Sequence, residues 1–136
     1  MFPKDTTILV VDDLESIREL MVAYLSRLGY KDVLEASDGQ QAFEIINASR
    51  VAGKNIKLII SDWNMPKLNG IELLKLIRAD NEWKSLPFLL MTTESEKPKV
   101  VEAIKSGVTN YMVKPINEAT FQEKLERTWE KLNPKT

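Results

Sequence analysis

Apolar residues fall into two alternating patterns along the chain: short continuous runs, and longer stretches in which they recur every three or four positions. Ile8-Leu9-Val10-Val11 is a continuous run rich in β-branched residues, as expected of a strand buried on both faces. It stops at Asp12-Asp13. Beyond it, Leu14, Ile17, Leu20, Met21, Tyr24, Leu25 and Leu28 predict one face of a helix that Gly29 closes. Val33-Leu34-Glu35-Ala36 is a shorter, more polar strand suited to an edge, followed by a helix over about 39–49 and a polar connection over 50–55. Lys57-Leu58-Ile59-Ile60-Ser61 predicts a third strand that again ends in acid, at Asp62, and Asn69-Gly70 leads into a helix with Ile71, Leu74 and Ile77 inward. The fourth strand, Pro87 to Met91, ends in Thr92-Thr93. Pro98 then suits the first turn of a helix that carries Val101 and Ile104 and runs to Ser106-Gly107. Asn110 to Val113 is the fifth strand, ending at Lys114-Pro115, and the last helix carries Phe121, Leu125, Trp129 and Leu132 on one stripe. Strict strand-helix alternation predicts a parallel sheet with helices on both faces, an open doubly wound α/β domain. Its 136 residues suit a single domain over 1–136, with only short tails at both ends.

Composition narrows the chemistry. Nineteen Lys and Arg against twenty Asp and Glu give a net charge of −1, so nothing asks for nucleic acid. The balance is uneven, with net −4 over residues 1–50 and +3 beyond, which concentrates acid near the start. There is no Cys and no His. That excludes disulfides, thiolate nucleophiles, His-based catalytic triads and imidazole-bound zinc, so any metal must be held by oxygen. No run approaches the ~18–20 apolar residues of a membrane span, and the charged start does not read as a signal peptide; the expectation is a cytoplasmic chain that neither enters a membrane nor binds nucleic acid.

In open α/β sheets, ligands bind outside the carboxyl ends of the strands, where the strand order reverses. The strands here end in Asp12-Asp13, Asp62, Thr92 and Lys114. If the first and third strands are neighbours, three carboxylates share one crevice, at a cost of about 1–4 kcal/mol per like-charge pair at ~4 Å. A divalent cation removes that penalty, and an all-oxygen set selects a hard ion, Mg²⁺. A hydroxyl and an ammonium complete a phosphoryl-transfer constellation, in which Asp62 is the best-placed carboxylate to attack phosphorus. Each residue also has a plainer reading. Either Asp12 or Asp13 could cap the following helix, although capping explains only one of two adjacent acids. Asp62 beside Asn64-Met65-Pro66 could be turn chemistry, Thr92 a local side-chain turn and Lys114 a solvated lysine. Tyr111 and Trp129 read first as core aromatics. The joint appearance of Asp12-Asp13, Asp62, Thr92 and Lys114 at four strand ends on the same edge favours the functional reading for these five.

These residues resemble the receiver domains of two-component response regulators, and more narrowly the chemotaxis (CheY) type. The likeness spans the chain through Val10-Val11-Asp12-Asp13, Asp38-Gly39, Ser61-Asp62-Trp63-Asn64-Met65-Pro66 with Asn69-Gly70, Met91-Thr92-Thr93-Glu94, and Gly107 through Lys114-Pro115. It implies the flavodoxin-like (βα)5 sheet with strand order 2-1-3-4-5. It also implies that Asp62 accepts a phosphoryl group from a phosphohistidine on a sensor histidine kinase. Mg²⁺ would be bound by Asp13, Asp62 and the backbone carbonyl of Asn64, with Asp12 acting largely through water. Lys114 would pair with phosphoryl oxygens, Thr92 would hydrogen-bond the attached group, and Tyr111 would turn inward into the space Thr92 vacates. The readout would lie on the face of the fourth helix, fifth strand and fifth helix.

Asn64, Thr93 and Glu94 occupy positions that tune dephosphorylation in the family, and bulky Thr93 is expected to narrow access to the acyl phosphate. The implied partners are a chemotaxis-type kinase, a flagellar motor switch protein or another target, and a phosphatase; the chain itself is expected to be a monomer without an output domain and not a turnover enzyme. Departures from the type are Thr93, a longer connection after the second helix, and Ser95-Glu96-Lys97-Pro98 at the start of the output face. Two alternatives stay open. One is a phosphorelay intermediate that passes phosphoryl to a second histidine protein. The other is an aspartate-nucleophile phosphohydrolase, whose pattern puts a second Asp where Asn64 stands.

Overall fold

The computed structural model describes residues 1–93 and 98–134. The elements are β1 (Ile8–Val11), α1 (Glu15–Arg27), β2 (Val33–Ala36), α2 (Gly39–Val51), β3 (Leu58–Asp62), α3 (Gly70–Arg78), β4 (Phe88–Thr92), α4 (Val100–Lys105), β5 (Asn110–Val113) and α5 (Glu118–Leu132). The five strands form one sheet in the order β2-β1-β3-β4-β5, every pairing parallel, so the expected doubly wound flavodoxin-like topology holds. Strand alternation divides the core. Leu9, Val11, Ile59, Phe88 and Leu90 point to the face covered by α2, α3 and α4, whereas Ile8, Val10, Leu58, Ile60, Leu89 and Met91 point to α1 and α5. Both faces are buried, which is why β1 and all but the carboxyl ends of β3 and β4 read as unbroken apolar runs. At the edge, β2 leaves Glu35 exposed.

Helix starts are fixed locally. Asp38 caps α2 by accepting the Gln41 N–H, Asn69 and Glu72 form a reciprocal capping box on α3, and Asn117 caps α5. Gly39 answers a different need. Its N–H donates to the Leu68 carbonyl at 3.1 Å, and a Cβ there would run into that same carbonyl. This close approach draws the start of α2 against the loop that follows β3.

Four expectations need correction. The second helix continues to Val51, because Arg50 stacks 4.0 Å from the Trp83 ring centre and pairs with Asp80 and Glu82, so its charge is partnered inside the last turn. Leu14 and Leu20 are exposed although they fit the spacing of the first helix; Leu14 is the cap residue, and the core accepts a narrower stripe of Met21, Tyr24 and Leu25. On α4 the buried residues are Val100 and Ala103, while Val101 and Ile104 face solvent at 57% and 60% exposure. The start of the chain is not a loose tail. Phe2 is buried edge-on against Trp129, with ring centres 5.1 Å apart, its carbonyl accepts the Tyr30 hydroxyl at 2.7 Å, and Lys4 Nζ donates to the Leu28 carbonyl. Trp129 is thus the core aromatic expected. No helix among the described residues is long and apolar enough to cross a membrane.

Candidate functional site

The carboxyl ends of β1 and β3 lie side by side, Val11 opposite Ser61, at the point where the sheet order reverses. The next residue of each brings the acids together. Asp12 is fully buried just past β1, Asp62 is the buried last residue of β3, and Asp13 is exposed. One oxygen from each of the three carboxylates lies within 4.8 Å of the others. Lys114, just past β5, reaches both buried acids, with Nζ 3.1 Å from Asp12 Oδ2 and 3.0 Å from Asp62 Oδ1. Its backbone N–H donates to the Thr92 carbonyl at 2.6 Å, which ties the lysine to the end of β4.

The plainer readings can now be weighed. Asp12 Oδ1 accepts the Leu14 N–H at 2.9 Å, a local turn contact, but α1 has no side-chain cap, and among the described residues Asp13 caps nothing. Asp62 Oδ1 also accepts the Trp63 N–H at 2.8 Å, so its carboxylate is held in place as well as paired. Trp63 is buried, and its carbonyl accepts the Gly70 N–H at 2.9 Å. A Cβ on Gly70 would press on the Asp62 carbonyl, so a glycine lets α3 start directly beneath the end of β3.

Electrostatically the pocket is tense. Burial, and then the charge of Asp12, push the Asp62 pKa up to about 6, with Lys114 and the Trp63 N–H pulling the other way. Burial alone would lower the Lys114 pKa, but Asp62 and Asp12 outweigh it, and the ammonium is held more firmly than usual. Thr92, last residue of β4, is fully buried, and among the described residues its Oγ1 has no hydrogen-bond partner. An unpaired buried hydroxyl costs about 1–3 kcal/mol, so this donor stands ready for a group the protein does not supply. Three oxygen ligands for a hard cation, an ammonium and an orphan hydroxyl fit a divalent ion together with a phosphoryl group.

The remaining candidates lie around this centre. Asn64 is exposed and Thr93 half-buried. Tyr111 is half-buried on β5, packed against the α2/α3/α4 side of the core, with Lys124 Nζ 5.3 Å from its ring centre. Glu94, and Ser95 to Lys97 beyond it, lie outside the described residues. One residue escaped the sequence reading. Arg18 donates from Nη1 to the Asp12 carbonyl at 2.7 Å and from Nε to Glu35 at 3.4 Å. Its signal in the sequence was faint: a lone cation, one turn into the helix that follows the acids, in an otherwise acidic stretch.

Comparison with known proteins agrees with this geometry. Residues 8–126 match the response regulator receiver domain. The chemotaxis protein CheY1 of Helicobacter pylori (strain J99) is 47% identical over 119 residues, covering 88% of this chain and 93% of that protein. The chemotaxis protein CheY homolog of Campylobacter jejuni is 42% identical over 119 residues, covering 88% of each. Among solved structures, the chemotaxis response regulator CheY4 of Vibrio cholerae superposes with a TM-score of 0.81 at 35% identity, covering 91% of this chain and 98% of that one. Likeness along almost the whole sheet, at these identities, reaches past the shared topology: the chain belongs to the response regulator receiver domain family.

Proposed function

We propose that the chain works as a chemotaxis response regulator, in which Asp62 takes a phosphoryl group from a phosphohistidine on a sensor kinase. The observation that carries this is the buried Thr92 hydroxyl, unpartnered among the described residues, at the same sheet edge as the Asp62–Lys114 pair. In the transfer, Asp62 attacks phosphorus, an O–P bond forms as the N–P bond breaks, and the donor imidazole leaves with the electron pair and takes a proton from solvent. Lys114 shifts one of its donors to a phosphoryl oxygen while keeping Asp12, and Thr92 gains the partner it lacks. Asp12, Asp13, Asp62 and the Asn64 carbonyl would hold Mg²⁺. When bound, that ion supplies positive charge and ligand positions for the transferring oxygens.

Movement of Thr92 towards the phosphoryl group frees space beneath β4 for the half-buried Tyr111 ring. The readout would fall on the α4, β5 and α5 face, where Val101 and Ile104 already present apolar surface. The curated relatives carry chemotaxis names, which favours a flagellar motor switch protein as the target. Asn64, at the position where aspartate-nucleophile phosphohydrolases carry a second Asp, counts against the enzyme reading. The receiver domain, matched over residues 8–126, would pass its signal by binding that target.

Titration with Mg²⁺ and then beryllofluoride, a phosphoryl stand-in, tests the reading. Trp63 is buried and adjoins Asp62, to which its backbone N–H donates, so its fluorescence is expected to change saturably with each addition, and the Trp63→Phe variant to lose the response above the background of Trp83 and Trp129. No response to either ligand overturns the assignment. Thr93 is expected to slow loss of the phosphoryl group by crowding the route of the attacking water. Thr93→Ala should therefore release label several-fold faster in a dephosphorylation time course, and an unchanged or slower rate removes that role.

A further inference from the structure

We propose that Arg18 is a positioning residue for the acidic pocket: it fixes the peptide between Asp12 and Asp13 and thereby aims the Asp13 carboxylate. The inference rests on the Mg²⁺ reading above. Asp12 is held at every polar group. Its N–H donates to the Ala36 carbonyl at 3.1 Å, its carboxylate meets the Leu14 N–H and Lys114, and its carbonyl accepts Arg18 Nη1 at 2.7 Å. That carbonyl lies just past the last residue of β1, and among the described residues no backbone N–H reaches it. Arg18 takes the place of the missing sheet partner. Asp13 is the opposite case: it is exposed, and among the described residues no hydrogen bond or ion pair restrains its carboxylate. Its direction is therefore set by the backbone alone, and the peptide that precedes it is the one Arg18 grips.

The grip is braced at its far end. Arg18 Nε lies 3.4 Å from Glu35 on β2, and the arginine side chain is only 16% exposed against 46% for Glu35. The guanidinium thus spans from α1 across the end of β1 to the edge strand, and its planar fork serves both contacts at once. A lysine has a single donor group and could satisfy the carbonyl without the brace.

Charge and geometry make opposite forecasts, so one measurement separates them. By charge alone, removing a cation beside the pocket should tighten Mg²⁺ binding. By positioning, it should weaken binding about tenfold, as loss of a residue that orients a ligand generally does. The test is titration of the metal-free full chain with magnesium chloride, followed by Trp63 fluorescence, for wild type, Arg18→Ala, Arg18→Met and Arg18→Lys, with urea unfolding in EDTA as a separate measure of the fold. The expected result is an about tenfold higher Kd for Ala and Met, and for Lys a Kd within a few-fold of wild type. Because Arg18 acts through Asp13, Arg18→Ala should add little further loss in an Asp13→Asn background. Equal or tighter Mg²⁺ binding by Arg18→Ala overturns the proposal, as does full additivity with Asp13→Asn, or a loss of stability with Kd unchanged. If the Ala variant does not fold, Arg18→Met, which keeps the apolar stem, decides. Failure of wild type itself to bind Mg²⁺ is a distinct outcome that removes the pocket reading and this inference together.

Discussion

Asp62→Asn is expected to abolish phosphoryl incorporation from a phosphorylated sensor kinase or from acetyl phosphate, taking a chain that labels with Mg²⁺ present to one that does not label. The substitution keeps the volume of the side chain but replaces an anionic oxygen nucleophile with an amide, which does not attack phosphorus at a useful rate. The rest of the pocket should survive. Asp12 still pairs with Lys114 at 3.1 Å, and the Asn carbonyl oxygen can still accept the Trp63 N–H. Loss of label can therefore be assigned to chemistry once circular dichroism and urea unfolding show the variant folded. Asp12 is fully buried and its carboxylate committed to Lys114 and Leu14, so it offers no route for in-line attack, whereas exposed Asp13 is the acceptor to watch. Mass spectrometry of radiolabelled wild type should place a hydroxylamine-sensitive acyl phosphate on Asp62. Persistent stoichiometric label on Asp13 or elsewhere in Asp62→Asn would refute Asp62 as the acceptor.

The second large effect is on pH dependence. Burial and the neighbouring Asp12 charge raise the Asp62 pKa to about 6, against about 3.9 for an aspartate in an unfolded chain. Between those values the folded protein holds a proton that the unfolded chain has released, so metal-free stability rises as pH falls from 7 through 6 and levels off below about 4. The gain is at most about 3 kcal/mol, the full value of a two-unit shift. Asp62→Asn carries no such penalty, so at pH 7 it should be more stable than metal-free wild type and should not share the rise towards pH 5. Urea unfolding in EDTA across pH 5 to 7.5 measures both curves, and a wild-type stability that falls on acidification through this window contradicts the account.

Mg²⁺ binding should run the other way, since the ion and the proton compete for the same carboxylate. With a pKa of about 6, Asp62 is about 90% ionised at pH 7 and about 10% at pH 5, so the apparent Mg²⁺ affinity should fall about tenfold between them. An affinity indifferent to pH in this range would mean that Asp62 is not a ligand.

How much of this was legible in the sequence follows from what each signal depends on. Strand positions were, because β1, β3 and β4 are buried on both faces and so read as apolar runs up to the polar residues at the ends of β3 and β4. Residue types at strand ends were also readable, since a parallel sheet delivers every strand end to one edge. Helix faces were less so. Val101 and Ile104 fit the helical spacing as well as Val100 and Ala103, and spacing alone does not say which stripe a six-residue helix turns inward. The Phe2–Trp129 contact was hidden because it joins residues at opposite ends of the chain.

By itself, then, the sequence determined the alternation of elements, the oxygen-only chemistry and the identity of the acids, hydroxyl and ammonium, because those depend on local pattern and residue type. Only the tertiary structure decided that Lys114 pairs with Asp12 across 102 positions, that the Thr92 hydroxyl is buried without a partner among the described residues, and that Arg18 holds the peptide ahead of Asp13. The physical reason is the same in all three. Charge pairing, desolvation and hydrogen bonding fall off within a few ångströms, and distance in space between remote segments is set by the folded sheet and not by position in the chain.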